Sequence, residues 1–204
     1  MDKNNKLAEK MLLFLYAFSE SASTVSYNTY KRYIYLYYLV SSFLPAFSGN
    51  CEEETIDIII EKGDIKILTF DDILRYFETC EYISISDSTI AINPELGVFV
   101  SPLVNNEAGI ISSRYREIRP FVNLLQSYTD QFIFTIFFSE PTFQSASLRG
   151  VKEIQSSNSE LSKLLTAFKV KLNNSKVDEY DILTYWMDYI LKNYYRETGE
   201  NGAI

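Results

Sequence analysis

The sequence predicts a mostly α protein with a small β hairpin, an α+β fold, and three observations lead there. Apolar residues recur at three-and-four spacing over several stretches, among them YNTYKRYIYLYYLV at 27–40, which holds six tyrosines in fourteen positions. Glycine (7) and proline (5) are scarce in 204 residues, which suits long ordered elements more than a turn-rich all-β chain. One segment, YISISDSTIAIN, alternates with period two about a two-residue centre, as a hairpin does.

Taken in order, Leu7, Met11, Phe14, Leu15 and Phe18 mark a first helix, with Asn4 or Asn5 as its cap and the polar run SESAST as its end. A second helix is predicted from Ser26 to Phe43. Tyr30, Tyr33, Ile34, Tyr37, Tyr38 and Ser41 form one face, while Tyr27, Tyr35 and Leu39 lie off it, so this helix is apolar on more than one side and belongs in the centre. For residues 56–60, Ile56, Ile59 and Ile60 fit a short helix closed by Gly63, with a strand as the alternative. Thr69 and Asp72 have capping-box spacing ahead of the stripe Ile73, Leu74 and Phe77, which predicts a short helix ending near Cys80. In the hairpin, a loop at Asp87 and Ser88 pairs Ser86 with Thr89, Ile85 with Ile90 and Ile83 with Ile92, and puts four isoleucines on one face. Pro94 and Gly97 then stop the strand.

Beyond residue 104 the chain reads as helical. Ile111, Tyr115, Ile118, Val122 and Leu125 form a stripe, with Pro120 kinking that helix or starting a new one. FIFTIFF, 132–138, is too apolar for exposure and reads as strand or buried helix, and residues 139–160 read as a polar connection. One closing helix carries Leu161, Leu164, Leu165, Phe168 and Leu172. The last carries Val177, Tyr180, Leu183, Met187, Ile190, Leu191 and Tyr194 behind a capping box of Ser175 and Asp178. Helix, short helix, brief strand, helix and hairpin is the order of a winged helix, in which the apolar face of the hairpin closes a core that three short helices leave open. The expected organisation is a winged-helix domain over residues 1–104 and a helical domain over 105–204, the two either separate or packed as one unit.

Composition narrows the chemistry. Histidine is absent, and with it the commonest general base and transition-metal ligand. Cys51 and Cys80 are too few for a structural zinc site, so no cofactor or metal is expected. No cleavable leader is visible and the longest apolar stretch, broken by Ser41, Ser42 and Pro45, falls short of the roughly 20 residues that span a bilayer. A cytoplasmic protein with two free, buried thiols is the expectation. No phosphate-binding loop, dinucleotide fingerprint, nucleophile elbow or zinc-protease motif occurs, and the chain is read as non-enzymatic.

Net charge is −8, concentrated in residues 51–100, where twelve Asp/Glu meet three Lys/Arg. The helix FDDILRYFETC occupies the place of a DNA-recognition helix. It offers Asp71, Asp72 and Glu78 with only Arg75, the wrong chemistry for base edges or phosphates. Arg114, Arg116 and Arg119 in RYREIR are the candidate phosphate contacts. Tyr30, Tyr33, Tyr37 and Tyr38 are the candidate protein interface, self-association included, since rings at helical spacing with only Lys31 and Arg32 beside them suit packing over base stacking. Asp71/Asp72 and the run Glu52 to Glu54 read as solvated charge, because neighbours on a helix diverge by about 100°.

The aromatic helix, the segment TFDDILRYFETCEYISISDSTIAINPELG and its N-P-x-x-G turn (Asn93, Pro94, Gly97) resemble the small middle component of bacterial three-component ATPase systems. These include the third subunit of Lamassu-type anti-phage and anti-plasmid defence, similar in role to the winged-helix accessory subunits of SMC complexes. The resemblance covers roughly residues 7–100. It implies an accessory subunit that binds an SMC-like coiled-coil ATPase and a nuclease effector, with DNA sensed mainly through the complex. A stand-alone winged-helix DNA-binding transcription regulator is the alternative, and an enzyme with an unrecognised carboxylate site the third reading.

Overall fold

The computed structural model describes residues 3–45, 55–61, 64–147, 153–172 and 177–198. The fold is mostly helical with two small antiparallel sheets. Helix α2 (Tyr27–Val40) is its axis. From Tyr33 to Val40 every residue is buried, so the helix has no solvent face over two turns. Around it stand α1 (Lys3–Ser19), α5 (Ile110–Gln126), α6 (Asp130–Ser139) and α8 (Glu160–Leu172), while α4 (Pro94–Val104) leans on α1 and α5, and α9 (Glu179–Thr198) covers α6 and α8. Helices on both sides of residue 104 therefore contribute to one buried cluster that runs from Leu7 to Ile190.

A tyrosine at the centre of a core must satisfy its hydroxyl. Tyr30 donates to the Met11 carbonyl at 2.7 Å and thereby fixes α1 on α2. Tyr37 packs edge-on against Phe14 (5.3 Å between centroids) and Phe121 (5.5 Å), joining α1 and α5 across α2. At the far end, Ser159 and Ser162 hydroxyls donate to the Leu39 carbonyl, which a terminating helix leaves without its own partner.

The hairpin forms in the predicted register. β4 (Ile83–Ser86) pairs with β5 (Thr89–Ile92) as Ile83 to Ile92, Ile85 to Ile90 and Ser86 to Thr89, and Asp87 takes a positive φ of 49° at the loop. Ile83 and Ile90 are buried, Ile85 and Ile92 half-buried. A third strand, β1 (Thr24–Ser26), joins on the other side, giving the order β1-β5-β4. Helix α3 (Phe70–Thr79) precedes the hairpin and buries Phe70, Ile73, Leu74 and Phe77.

Several expectations are corrected. Residues 55–61 form strand β2, not a helix: Ile56 and Ile58 alternate inward and pair with β3 (Asp64–Ile67) and β6 (Glu153–Gln155), whose Ile65, Ile67 and Ile154 are also buried. Gly63, proposed as a helix cap there, lies outside the described residues. Thr69 and Asp72 form no capping box. Thr69 sits at φ 64°, an unusual conformation for a β-branched residue, and its hydroxyl turns back to the Leu68 carbonyl at 2.6 Å. Asn4 and Asn5 lie inside α1 rather than capping it. Pro94 does end the hairpin, by opening α4 at its first turn, where its missing N–H costs nothing; Gly97 lies within that helix. Pro120 lies within a continuous α5, and FIFTIFF is helical as part of α6. The supposed polar connection at 139–160 holds α7 (Pro141–Ser147), β6 and a 3-10 turn at Ser156–Asn158. Of the apolar stripe expected on α8, Leu161 and Leu165 are buried, while Leu164, Phe168 and Leu172 are exposed. Asp178 caps α9 with Asp181: each backbone N–H donates to the other's carboxylate, at 3.2 and 2.8 Å, and Ser175 lies outside the described residues.

Candidate protein-binding surface

Helix α3 is strongly amphipathic. With Phe70, Ile73, Leu74 and Phe77 turned inward, its outer face presents Asp71, Asp72, Arg75, Tyr76 and Glu78. The single cation is offset by its own neighbour, since Arg75 lies 3.8 Å from Asp72. Asp71 accepts a hydrogen bond from the Tyr27 hydroxyl, which ties α3 to the start of α2. The hairpin adds Asp87 at its tip, and no Lys or Arg occurs between Arg75 and Arg114.

Beside this acidic face runs an aromatic one. Tyr76 is 63% exposed and packs against Phe77, Phe77 reaches Tyr82, and Tyr82 stacks on Phe99 of α4 at 5.2 Å. Val98 and Leu103 extend the apolar surface along α4. Asn93 fixes the geometry: its N–H donates to the Tyr82 carbonyl and its Nδ2 to the Glu81 carbonyl, both at 2.9 Å, which locks the base of the hairpin to the end of α3. Large rings with an acidic rim present apolar area, hydroxyl groups and negative potential together, the composition of a protein contact. Among the described residues no group of three His, Cys, Asp or Glu is placed to hold a metal ion.

The residues singled out from the sequence take other positions. Tyr30, Tyr33, Tyr37 and Tyr38 are at most 5% exposed, so they are core and not an interface: the neighbours of α2 consume every side of it. The basic run is divided. Arg114 is paired with Glu9 of α1, the two side chains being 17% and 16% exposed, and holds α5 to α1. Arg119 donates through Nε to Glu20 at 2.7 Å, and Glu20 also accepts the Tyr115 hydroxyl at 2.7 Å. Arg116 is exposed. The three do not form one free cationic patch, because Arg114 is held against α1 by Glu9 and Arg119 is paired with Glu20. Cys80 is a free, half-buried thiol, and Cys51 and Glu52 to Glu54 lie outside the described residues.

Two features escaped the sequence reading. Glu140, between α6 and α7, is fully buried and accepts from the Tyr35 hydroxyl at 2.6 Å, the Thr142 N–H at 2.7 Å and the Phe143 N–H. Burial pushes its carboxyl up to about 7 against the pull of those donors. Its backbone donors are local, two and three residues on at the start of α7, but nothing local marks its burial against Tyr35, 105 residues away. The second is an open cleft of about 780 Å³ between β1 and the end of α5, lined largely by hydroxyl and amide side chains. Among the described residues no helix is long and apolar enough to cross a membrane. No protein family, curated protein or solved structure matches the chain.

Proposed function

We propose that residues 3–92 are a winged helix interrupted by the β2–β3 hairpin, and that it works as a protein-binding scaffold. The order β1-β5-β4 supports the fold reading, because a strand between the first two helices joins the hairpin that follows α3, which is how the wing closes a winged helix. The observation that carries the function is the outer face of α3. A helix meant for a DNA groove carries Arg, Lys, Asn or Gln, whereas this one carries three carboxylates and a solvent-exposed tyrosine. Phosphates would be repelled, and a polypeptide with basic and apolar groups would be attracted.

With the resemblance noted above, this supports a non-enzymatic, cytoplasmic accessory subunit of an SMC-like ATPase and nuclease complex in anti-phage or anti-plasmid defence. The subunit bridges or regulates its partners, and DNA is reached mainly through them. The test is co-purification of the chain with the ATPase and nuclease encoded beside it, comparing the natural protein with Tyr76→Ala and with Asp72→Lys. Both changes lie on an exposed face and should leave the melting temperature in place while at least tenfold less partner is retained. Tight sequence-specific duplex binding by the isolated chain would instead establish the stand-alone regulator.

A further inference from the structure

Among the described residues, no strand pairs with the outer edge of β1 in the sheet β1-β5-β4. Ile92 N–H donates to the Ser23 carbonyl and Tyr27 N–H to the Ser88 carbonyl, both at 2.8 Å, and Val25 stands opposite Ile90 between them. In an antiparallel ladder alternate residues bond to the neighbour and the rest point away. Ser23, Val25 and Tyr27 therefore face β5, whereas the N–H and C=O of Thr24 and the N–H of Ser26 face outward. The Ser26 carbonyl belongs to the first turn of α2. Thr24 is exposed, so the edge is open to solvent.

That edge is one wall of the 780 Å³ cleft, and the opposite wall carries Asn123, Gln126 and Ser127 from the end of α5, with Asp130 beside them. The volume lies within the usual range of ligand clefts, about 300–1,000 Å³. Amide side chains both donate and accept, so Asn123 and Gln126 are suited to the second edge of a strand laid against β1. The lining has one carboxylate and neither lysine nor arginine. Arg32, which feels the charge of Asp130, has its guanidinium over the Phe134 ring at 4.7 Å. Anionic ligands are disfavoured, and a neutral or basic chain is preferred.

We infer that this cleft binds an extended segment of a partner polypeptide by strand addition to β1, with a Lys or Arg of that segment facing Asp130. Unpaired strand edges are ready templates for this mode of recognition. The site shares no residue with the acidic face of α3, so it stands or falls separately from the scaffold reading.

The probe is a linear dodecapeptide selected from a displayed random library against the intact chain, with affinity read by fluorescence polarisation. Strand addition predicts that backbone N-methylation at every second peptide residue weakens binding at least tenfold while the intervening positions tolerate it. The peptide should slow hydrogen exchange of the Thr24 and Ser26 amides at least tenfold. Asp130→Lys should weaken basic peptides at least tenfold, as should the double change Asn123→Ala, Gln126→Ala on the facing wall. N-methylation reads the peptide, so it remains decisive if a protein variant misfolds. Failure to select any binder, binders indifferent to N-methylation, or protection of Thr24 through dimerisation of the chain without peptide would each overturn the inference.

Discussion

Replacing Tyr35 by Phe removes one hydroxyl from a fully buried polar contact, and the expected cost depends on pH. The ring remains, still edge-on to Phe137 at 5.5 Å, so packing is retained. What is lost is a 2.6 Å hydrogen bond to Glu140, whose carboxylate is fully buried. Burial raises the folded-state pKa of Glu140 from 4.5 to about 7. A raised carboxyl pKa contributes stability that is complete below the unfolded value and is lost as pH rises through about 7. At pH 8.5 Glu140 is therefore charged and depends on its donors, and losing the Tyr35 hydroxyl costs about 1.5–3 kcal/mol. At pH 5.5 the carboxyl is protonated, and the same deletion removes a neutral hydrogen bond worth about 0.5–1.5 kcal/mol. Tyr35 stays protonated at both values because burial and Glu140 hold its phenol well above its usual range. Urea unfolding of the natural protein and of Tyr35→Phe at pH 5.5 and 8.5 should show a penalty larger by about 1 kcal/mol at the higher pH. An equal penalty at both, or a larger one in acid, would refute the claim that the hydroxyl supports a buried charge.

Neighbouring arginines should behave differently. Arg114→Ala strands Glu9 between α1 and α5 and should cost about 1–3 kcal/mol in chemical denaturation, whereas Arg116→Ala should stay within about 0.5 kcal/mol. Removing the cap of α9 by Asp178→Ala should lower stability by about 1 kcal/mol, with exchange of the first-turn amides of that helix rising before any other signal.

How much was legible follows from the range of the interactions. The isoleucine hairpin was readable to the register because its pairs are separated by two loop residues, and a period of two allows no slip without turning every isoleucine outward. The acidic outer face of α3 was readable for a similar reason, since helical spacing alone separates Phe70, Ile73, Leu74 and Phe77 from Asp71, Asp72 and Glu78. Residues 55–61 read as helix or strand because TIDIIIE satisfies both periods, and the choice is made by partners at residues 64–67 and 153–155. The arginines of RYREIR were assigned to phosphate because their acids, Glu9 and Glu20, lie about a hundred residues away in sequence.

The sequence by itself determined the helical class, the hairpin, the acidic second quarter and the absence of histidine chemistry, since these depend on composition and on spacings within a turn or two. Tertiary structure alone decided that the tyrosines of α2 are core, that two of three arginines are already paired, that Glu140 is buried beneath Tyr35 and that β1 leaves an edge open on a cleft. The physical reason is that exposure and pairing belong to contacts between distant segments. A ring or a charge carries the same local pattern whether its partner is solvent, another chain or a helix a hundred residues away.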